Sequence, residues 1–155
     1  MSDNFQANPG SGGTTFASDD VSGFHYPRVK ISIGTDGAAQ DSWTPTKLIS
    51  AATTNATSVK GSAGTLGAIV VTNINAAVRY LKLYDKASAP TVGTDVPKWT
   101  IAIPGNAAGA GAVIPLPVNG LAFTLGIAFA VTTGVLDSDT GAVAANEIIV
   151  NLGYA

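Results

Sequence analysis

A chain of 155 residues has room for one domain with a substantial core, since domains of about this size bury roughly two thirds of the surface their unfolded chains expose. Its 8 Lys and Arg against 10 Asp and Glu leave a formal charge of -2, too small and too scattered for the basic footprint that phosphate neutralisation demands, so no nucleic-acid partner is expected. With no cysteine, disulfides, zinc fingers and thiol nucleophiles are excluded, and stability has to come from packing or association.

Charged residues make up 12% of the chain against a usual value of about 25%. A surface this neutral favours a subunit that hides part of itself in an assembly. The start, MSDNFQANPGSGG, lacks a basic region followed by an apolar one, so no secretory signal is read and synthesis in the cytoplasm is expected. The longest apolar run, Leu121 to Val131, falls short of the roughly 18 residues a spanning helix needs, so no membrane partner is expected either.

Residues 1–23 are dominated by Gly, Ser, Asn, Asp and Thr, with Phe5 and Phe16 as the only large apolar side chains. Alone, such a segment is a flexible arm. Two isolated aromatics suit it for docking on a neighbouring subunit, with Phe5 and Phe16 as anchors; a frayed terminus is the alternative. From Tyr26 to Ile33 the alternation of Val29, Ile31 and Ile33 with Arg28, Lys30 and Ser32 predicts a half-buried strand. It ends at the turn signal Gly34-Thr35-Asp36-Gly37. Lys47 to Ala51 gives a short strand, and Ser58 to Gly61 leads into the centre of the chain.

That centre, Thr65 to Lys86, joins two apolar runs across Asn73, Ile74, Asn75 and Ala76 and reads as a β-hairpin. Leu66, Ala68 and Val70 are expected on one face of its first arm, with Ile69 and Val71 on the other. Both faces call for cover, which a second layer of strands would supply. Ala87 to Lys98 is a Pro- and Gly-containing loop, Trp99 to Ile103 a strand, and Gly105 to Ala112 a flexible connection. Pro115 and Pro117 remove donors from one side of Val113 to Val118, which marks an edge strand. Asn119-Gly120 predicts a hairpin between that strand and Leu121 to Val131, where Ile127, Phe129 and Val131 share a face opposite Ala128 and Ala130. Gly134 to Ala144 is a polar loop, and the chain closes on a strand with Ile148, Val150, Leu152 and Tyr154 facing the core. Eight to ten short strands with no helical periodicity predict an all-β fold, a sandwich or small barrel.

Chemistry is sparse. His25 is the only histidine, with Ser22, Asp19 and Asp20 nearby; a Ser-His-Asp site would need an oxyanion hole at the root of a flexible arm, and a structural histidine is the reading preferred. Asp137-Ser138-Asp139-Thr140-Gly141 opens like a calcium loop, but Gly141 is the fifth position instead of the sixth, and Ile148 stands where a bidentate acid belongs. A solvated turn using Asx hydrogen bonds is expected. The glycine-rich Gly105 to Ala112 has no following Lys-Ser/Thr and opens no helix, so it reads as a linker and not a phosphate cradle. Trp43, Trp99, Tyr80 and Tyr84 are read as packing residues, with stacking on a sugar as the alternative. No catalytic residue, metal or cofactor is expected, and an enzyme is the class least favoured.

Three stretches, VSGFHYPRVKISIGTDGAAQD, NINAAVRYLKLYDKASAPTVGTDVPKWTIAIPG and SDTGAVAANEIIVNLGYA, resemble small structural proteins encoded among the virion genes of tailed bacteriophages. The likeness spans most of residues 21 to 155 and carries no catalytic motif. It implies a virion protein of the head-decorating kind: an antiparallel β-sandwich or jelly-roll-like module, residues 24–155, with an extended N-terminal arm, residues 1–23. Such a protein self-associates, often as a homotrimer, and its partner is the major capsid protein. A tail, baseplate or fibre component is the alternative place in the virion, and a carbohydrate-binding module using Trp43 or Trp99 is the alternative outside it.

Overall fold

The structure is a computed structural model that describes residues 5–6, 15–16, 18–22, 24–27, 43–106 and 108–155. Among these residues there is no helix, and none long and apolar enough to cross a membrane. The strands are β1 (Phe5–Gln6), β2 (Thr15–Phe16), β3 (Ser18–Val21), β4 (Phe24–Pro27), β5 (Thr44–Ile49), β6 (Thr57–Lys60), β7 (Gly64–Asn73), β8 (Arg79–Asp85), β9 (Trp99–Ile103), β10 (Ala110–Ile114), β11 (Leu121–Phe123), β12 (Ile127–Thr132) and β13 (Ile148–Tyr154). They fall into two compact units, Met1–Gln40 and Asp41–Ala155.

In the first unit β1 pairs with β2 and β3 with β4, both antiparallel. The β3–β4 hairpin turns at Ser22, whose φ of 57° is the left-handed conformation a tight turn needs. The strand expected from Tyr26 is preceded by two more paired residues, Phe24 and His25; its continuation from 28 to 33 lies outside the described residues.

The second unit is an antiparallel β-sandwich. One sheet has the order β10-β7-β13-β5, with β11 also on β7; the other has the order β6-β12-β8-β9. Inward side chains alternate with outward ones along the strands, and β12 and the middle of β8 are buried on both faces. Ile69, Val71, Ile148, Val150 and Leu152 of the first sheet meet Leu81, Leu83, Ile103, Ile127, Phe129 and Val131 of the second, all nearly inaccessible. Each such side chain contributes about 1.5–3 kcal/mol by leaving water. The closing strand β13 lies between β7 and β5 with Ile148, Val150 and Leu152 inward, as its alternation predicts.

Three corrections to the sequence reading concern how the chain changes layers. Thr65 to Lys86 is not a hairpin: β7 belongs to one sheet and β8 to the other. The Asn73 side chain, fully buried, accepts the Asn75 N–H at 2.8 Å and donates to the Ala77 carbonyl at 3.0 Å, while Asn75 accepts the Ala77 N–H at 2.8 Å. These consecutive side-chain turns carry the backbone across the sandwich. Asn119-Gly120 does not reverse the chain either. β10 and β11 both run antiparallel to β7, against Ile69–Asn73 and Gly64–Leu66 respectively, so they form one interrupted edge strand. Pro115 and Pro117 cannot donate to the ladder, and the chain leaves the sheet there; Gly120, at φ 72°, donates to the Pro117 carbonyl at 2.7 Å before it returns. The expected edge position of this segment holds. Finally, Leu121 to Val131 is two strands in different sheets, β11 and β12, joined by Thr124 to Gly126.

The faces of β7 also differ from strict alternation. Tyr154 opposes Leu66 while Gly153 opposes Ala68, so Gly67 is an extra residue, a bulge. Leu66 therefore joins Ile69 and Val71 inside, and Ala68 and Val70 face outward.

Candidate functional site

Among the described residues no three His, Cys, Asp or Glu side chains gather where they could hold a metal ion. In the loop 133–141 Asp139 serves the loop's own backbone. Asp139 Oδ1 accepts the N–H groups of Gly134 and Gly141, both at 3.0 Å, the second being an Asx turn. The interior of the loop is taken by the ammonium of Lys82, which donates to the Leu136 carbonyl at 2.6 Å and the Asp139 carbonyl at 3.3 Å. Lys82 is wholly inaccessible. Burial lowers its pKa, and Asp139 and Asp137 oppose that in part. This loop and Ala87 to Lys98 cover the outer face of the β6-β12-β8-β9 sheet, where Val92 packs on Tyr84, Ala128 and Ala130.

Tyr84 is thus a core residue, as read from the sequence. Its hydroxyl is buried without a hydrogen-bond partner among the described residues, and burial, then Asp95 and Asp137, raise its pKa. Trp43 and Trp99 are 49% and 38% exposed but belong to different sheets: Trp43 precedes β5 and Trp99 begins β9. The Trp43 ring lies on Gly67, where any Cβ would collide with it. Gly105 to Ala112 is a turn followed by a strand: Asn106 accepts the Ala108 N–H through its side chain and the Gly109 N–H through its carbonyl.

In the first unit, backbone register sets Phe5 opposite Phe16 and His25 opposite Asp20, with Ser22 in the turn between β3 and β4. Val21, Phe24 and Tyr26 of that hairpin are exposed by 56%, 71% and 57%.

The feature that strand-by-strand reading missed is the outer face of the β10-β7-β13-β5 sheet. Register places Val113, Val70, Asn151 and Lys47 in one row across the four strands, Gly111, Thr72, Ile149 and Ile49 in the next, and Ala68, Gly153 and Pro45 in a third. Val113, Ile49 and Val70 are exposed there by 76%, 49% and 40%, beside Trp43. Lys47 is the only charged residue in these rows. The outward set was legible only in part, because the Gly67 bulge exchanges the faces of β7 and the register of four separated segments decides the rows.

No family model, no curated protein and no solved structure matches the chain.

Proposed function

We propose that this protein is a structural component of a tailed-phage virion, a decoration or cement protein that binds the major capsid lattice and stabilises it. The observation that carries the reading is the resemblance of the three long stretches between Val21 and Ala155 to small virion proteins. What the geometry adds in support is a sandwich whose buried polar groups serve corners and loops, and whose described residues expose apolar side chains on one sheet face. The mechanism is mass action, since a protein that binds assembled capsid in preference to free subunits stabilises the assembled state. In this reading the subunit acts as a homotrimer and Phe5 and Phe16 anchor its N-terminal segment on a neighbour.

Electron cryo-microscopy of phage particles containing this protein tests the proposal. Density on the outer head at symmetry axes of the lattice is the expected result. Density confined to the tail would transfer the protein to tail or baseplate assembly, and its absence from the particle would overturn the virion reading.

A further inference from the structure

We propose that Asn119-Gly120 is a self-modification site, at which the asparagine loses its side-chain amide through attack by the Gly120 backbone nitrogen, with water as the one co-reactant. The inference does not rest on the virion reading.

Asn119 is alone among the asparagines of the chain in being followed by glycine, so no side chain on the next residue hinders the approach of that nitrogen to Asn119 Cγ. The fold sets it apart a second time. Asn55, Asn73, Asn75 and Asn106 each accept a backbone N–H through the side chain, which holds the amide away from the following nitrogen. Asn151 lies within β13, paired on both sides. Asn119 is exposed in the loop between β10 and β11, outside the ladders those strands make with β7. One turn guards it: the Gly120 N–H donates to the Pro117 carbonyl at 2.7 Å, while Val118 between them is 80% exposed and adds little packing. The nitrogen reaches Asn119 Cγ only when this bond opens. A net hydrogen bond corresponds to a factor of roughly ten or less, so the fold protects this site only weakly.

In the first step the bond from the Gly120 nitrogen to Asn119 Cγ forms and the Cγ–Nδ2 bond breaks; the Gly120 amide proton leaves with the side-chain nitrogen as ammonia. Water then opens the cyclic imide at one of its two carbonyls. One opening gives aspartate; the other gives isoaspartate, in which the main chain runs through the former side chain and is one carbon longer. Gly120 has no freedom to absorb that carbon. Its φ is 72°, and a Cβ there would collide with the Thr65 side chain and the Leu66 carbonyl of β7. The extra length is taken up on the exposed side, between Pro117 and Asn119, where it breaks the turn. Either product also brings a negative charge to the edge formed by β10 and β11, in a stretch that holds no charged residue between Lys98 and Asp137. Charge on an edge strand opposes its pairing with another chain.

The experiment incubates the full chain at mildly alkaline pH, folded and in parallel unfolded in urea, and follows the change from amide to acid by intact mass and peptide mapping, with enzymatic methylation to detect isoaspartate. Asn119 should convert before any other asparagine, with isoaspartate as the main product, and the folded chain should react no more than roughly tenfold more slowly than the unfolded one. Amide hydrogen exchange at Gly120 should be slowed by a similar factor, since the same opening exposes its nitrogen. Asn119→Gln, whose longer side chain would have to close a larger ring, should abolish the early conversion and leave the fold intact by circular dichroism. Conversion of another asparagine first, an Asn119 rate in the folded chain suppressed beyond that tenfold, or early conversion that survives Asn119→Gln would each overturn the proposal.

Discussion

The Asp85 carboxylate accepts the Leu125 backbone N–H at 2.8 Å, and at this contact the chain passes from one sheet to the other. The same carboxylate takes the Thr124 N–H at 2.9 Å, the Thr124 hydroxyl at 2.9 Å and the Gly126 N–H at 3.4 Å, so the end of β8 holds the whole β11–β12 corner. Lys98 stands 3.4 Å from it and donates to the Ala122 carbonyl at 2.7 Å, with its ammonium over the Phe123 ring.

Replacing Asp85 by Asn removes the charge that these donors serve, and a loss of about 2–4 kcal/mol in urea unfolding is expected at neutral pH. Burial opposes ionisation of Asp85, but the donors from Leu125, Thr124 and Gly126 outweigh it and hold the carboxyl below the usual carboxylate range. A carboxyl depressed in the folded state contributes stability that is fully present above its unfolded pKa, about 3.9. That contribution is lost as pH falls from there through the folded value. The gap between wild type and Asp85→Asn should therefore narrow below about pH 4; a gap that stays constant to pH 2 would show that the carboxylate is not what holds the corner.

Arg79 of β8 and Glu147, just ahead of β13, form an ion pair between the two sheets with side chains 13% and 5% accessible. Glu147 also accepts the Ala144 N–H at 2.6 Å. Arg79→Met leaves that carboxylate without its cation, and a destabilisation of about 3–5 kcal/mol is expected. Chemical denaturation measures it, and a change below about 1 kcal/mol would place the pair among weak surface contacts.

Lys82→Met should act on the loop more than on the whole domain. Relief from burying an ammonium offsets the lost bonds, so global stability should move by no more than about 1 kcal/mol. The Leu136 and Asp139 carbonyls lose their donor, and hydrogen exchange across 134–141 should speed up roughly tenfold or more. The pH response follows from the lowered Lys82 pKa. The folded state disfavours the charge, so the cost is full at neutral pH and fades as pH rises through the folded pKa toward about 10.4. Unchanged exchange in this loop would contradict the arrangement.

Gly67→Val puts a branched side chain where the Trp43 ring lies. In a Trp99→Phe background, which leaves Trp43 as the single reporter, the emission should shift to the red as the indole is pushed into water. A stability cost of about 1–3 kcal/mol should accompany it. An unshifted spectrum would mean that the ring does not rest on the bulge.

The strands β9 and β13, and the β12 part of Leu121 to Val131, were legible because a period of two in apolar residues has one physical reading, a half-buried or buried strand; the strand expected at Lys47 to Ala51 instead runs from Thr44 to Ile49. Ile148, Val150 and Leu152, and Ile127, Phe129 and Val131, face inward as their alternation predicts. Asp139 forms an Asx turn in loop 133–141, also as expected. Connections were read less well, for a specific reason. Asn-Gly and Asn-Ile-Asn encode local backbone bends, but whether a bend reverses a strand within its sheet, interrupts it, or carries it to the facing sheet is set by partners distant in sequence. Asp85 for the β11–β12 corner lies 40 residues from Leu125, and the Ile103 carbonyl that Asn73 reaches lies 30 residues away.

By itself the sequence determined the class of this protein: all-β, poor in charge and without a cysteine. Those properties follow from composition and local periodicity, which act over a few residues. Only the tertiary structure decided which strands share a sheet, that β10 and β11 are one broken edge, that Gly67 turns Leu66 inward, and that Val113, Val70 and Ile49 lie on one exposed face. The physical reason is register: side chains on opposite faces differ by a single residue of slip, and register is fixed by hydrogen bonds and bulges between segments far apart in the chain.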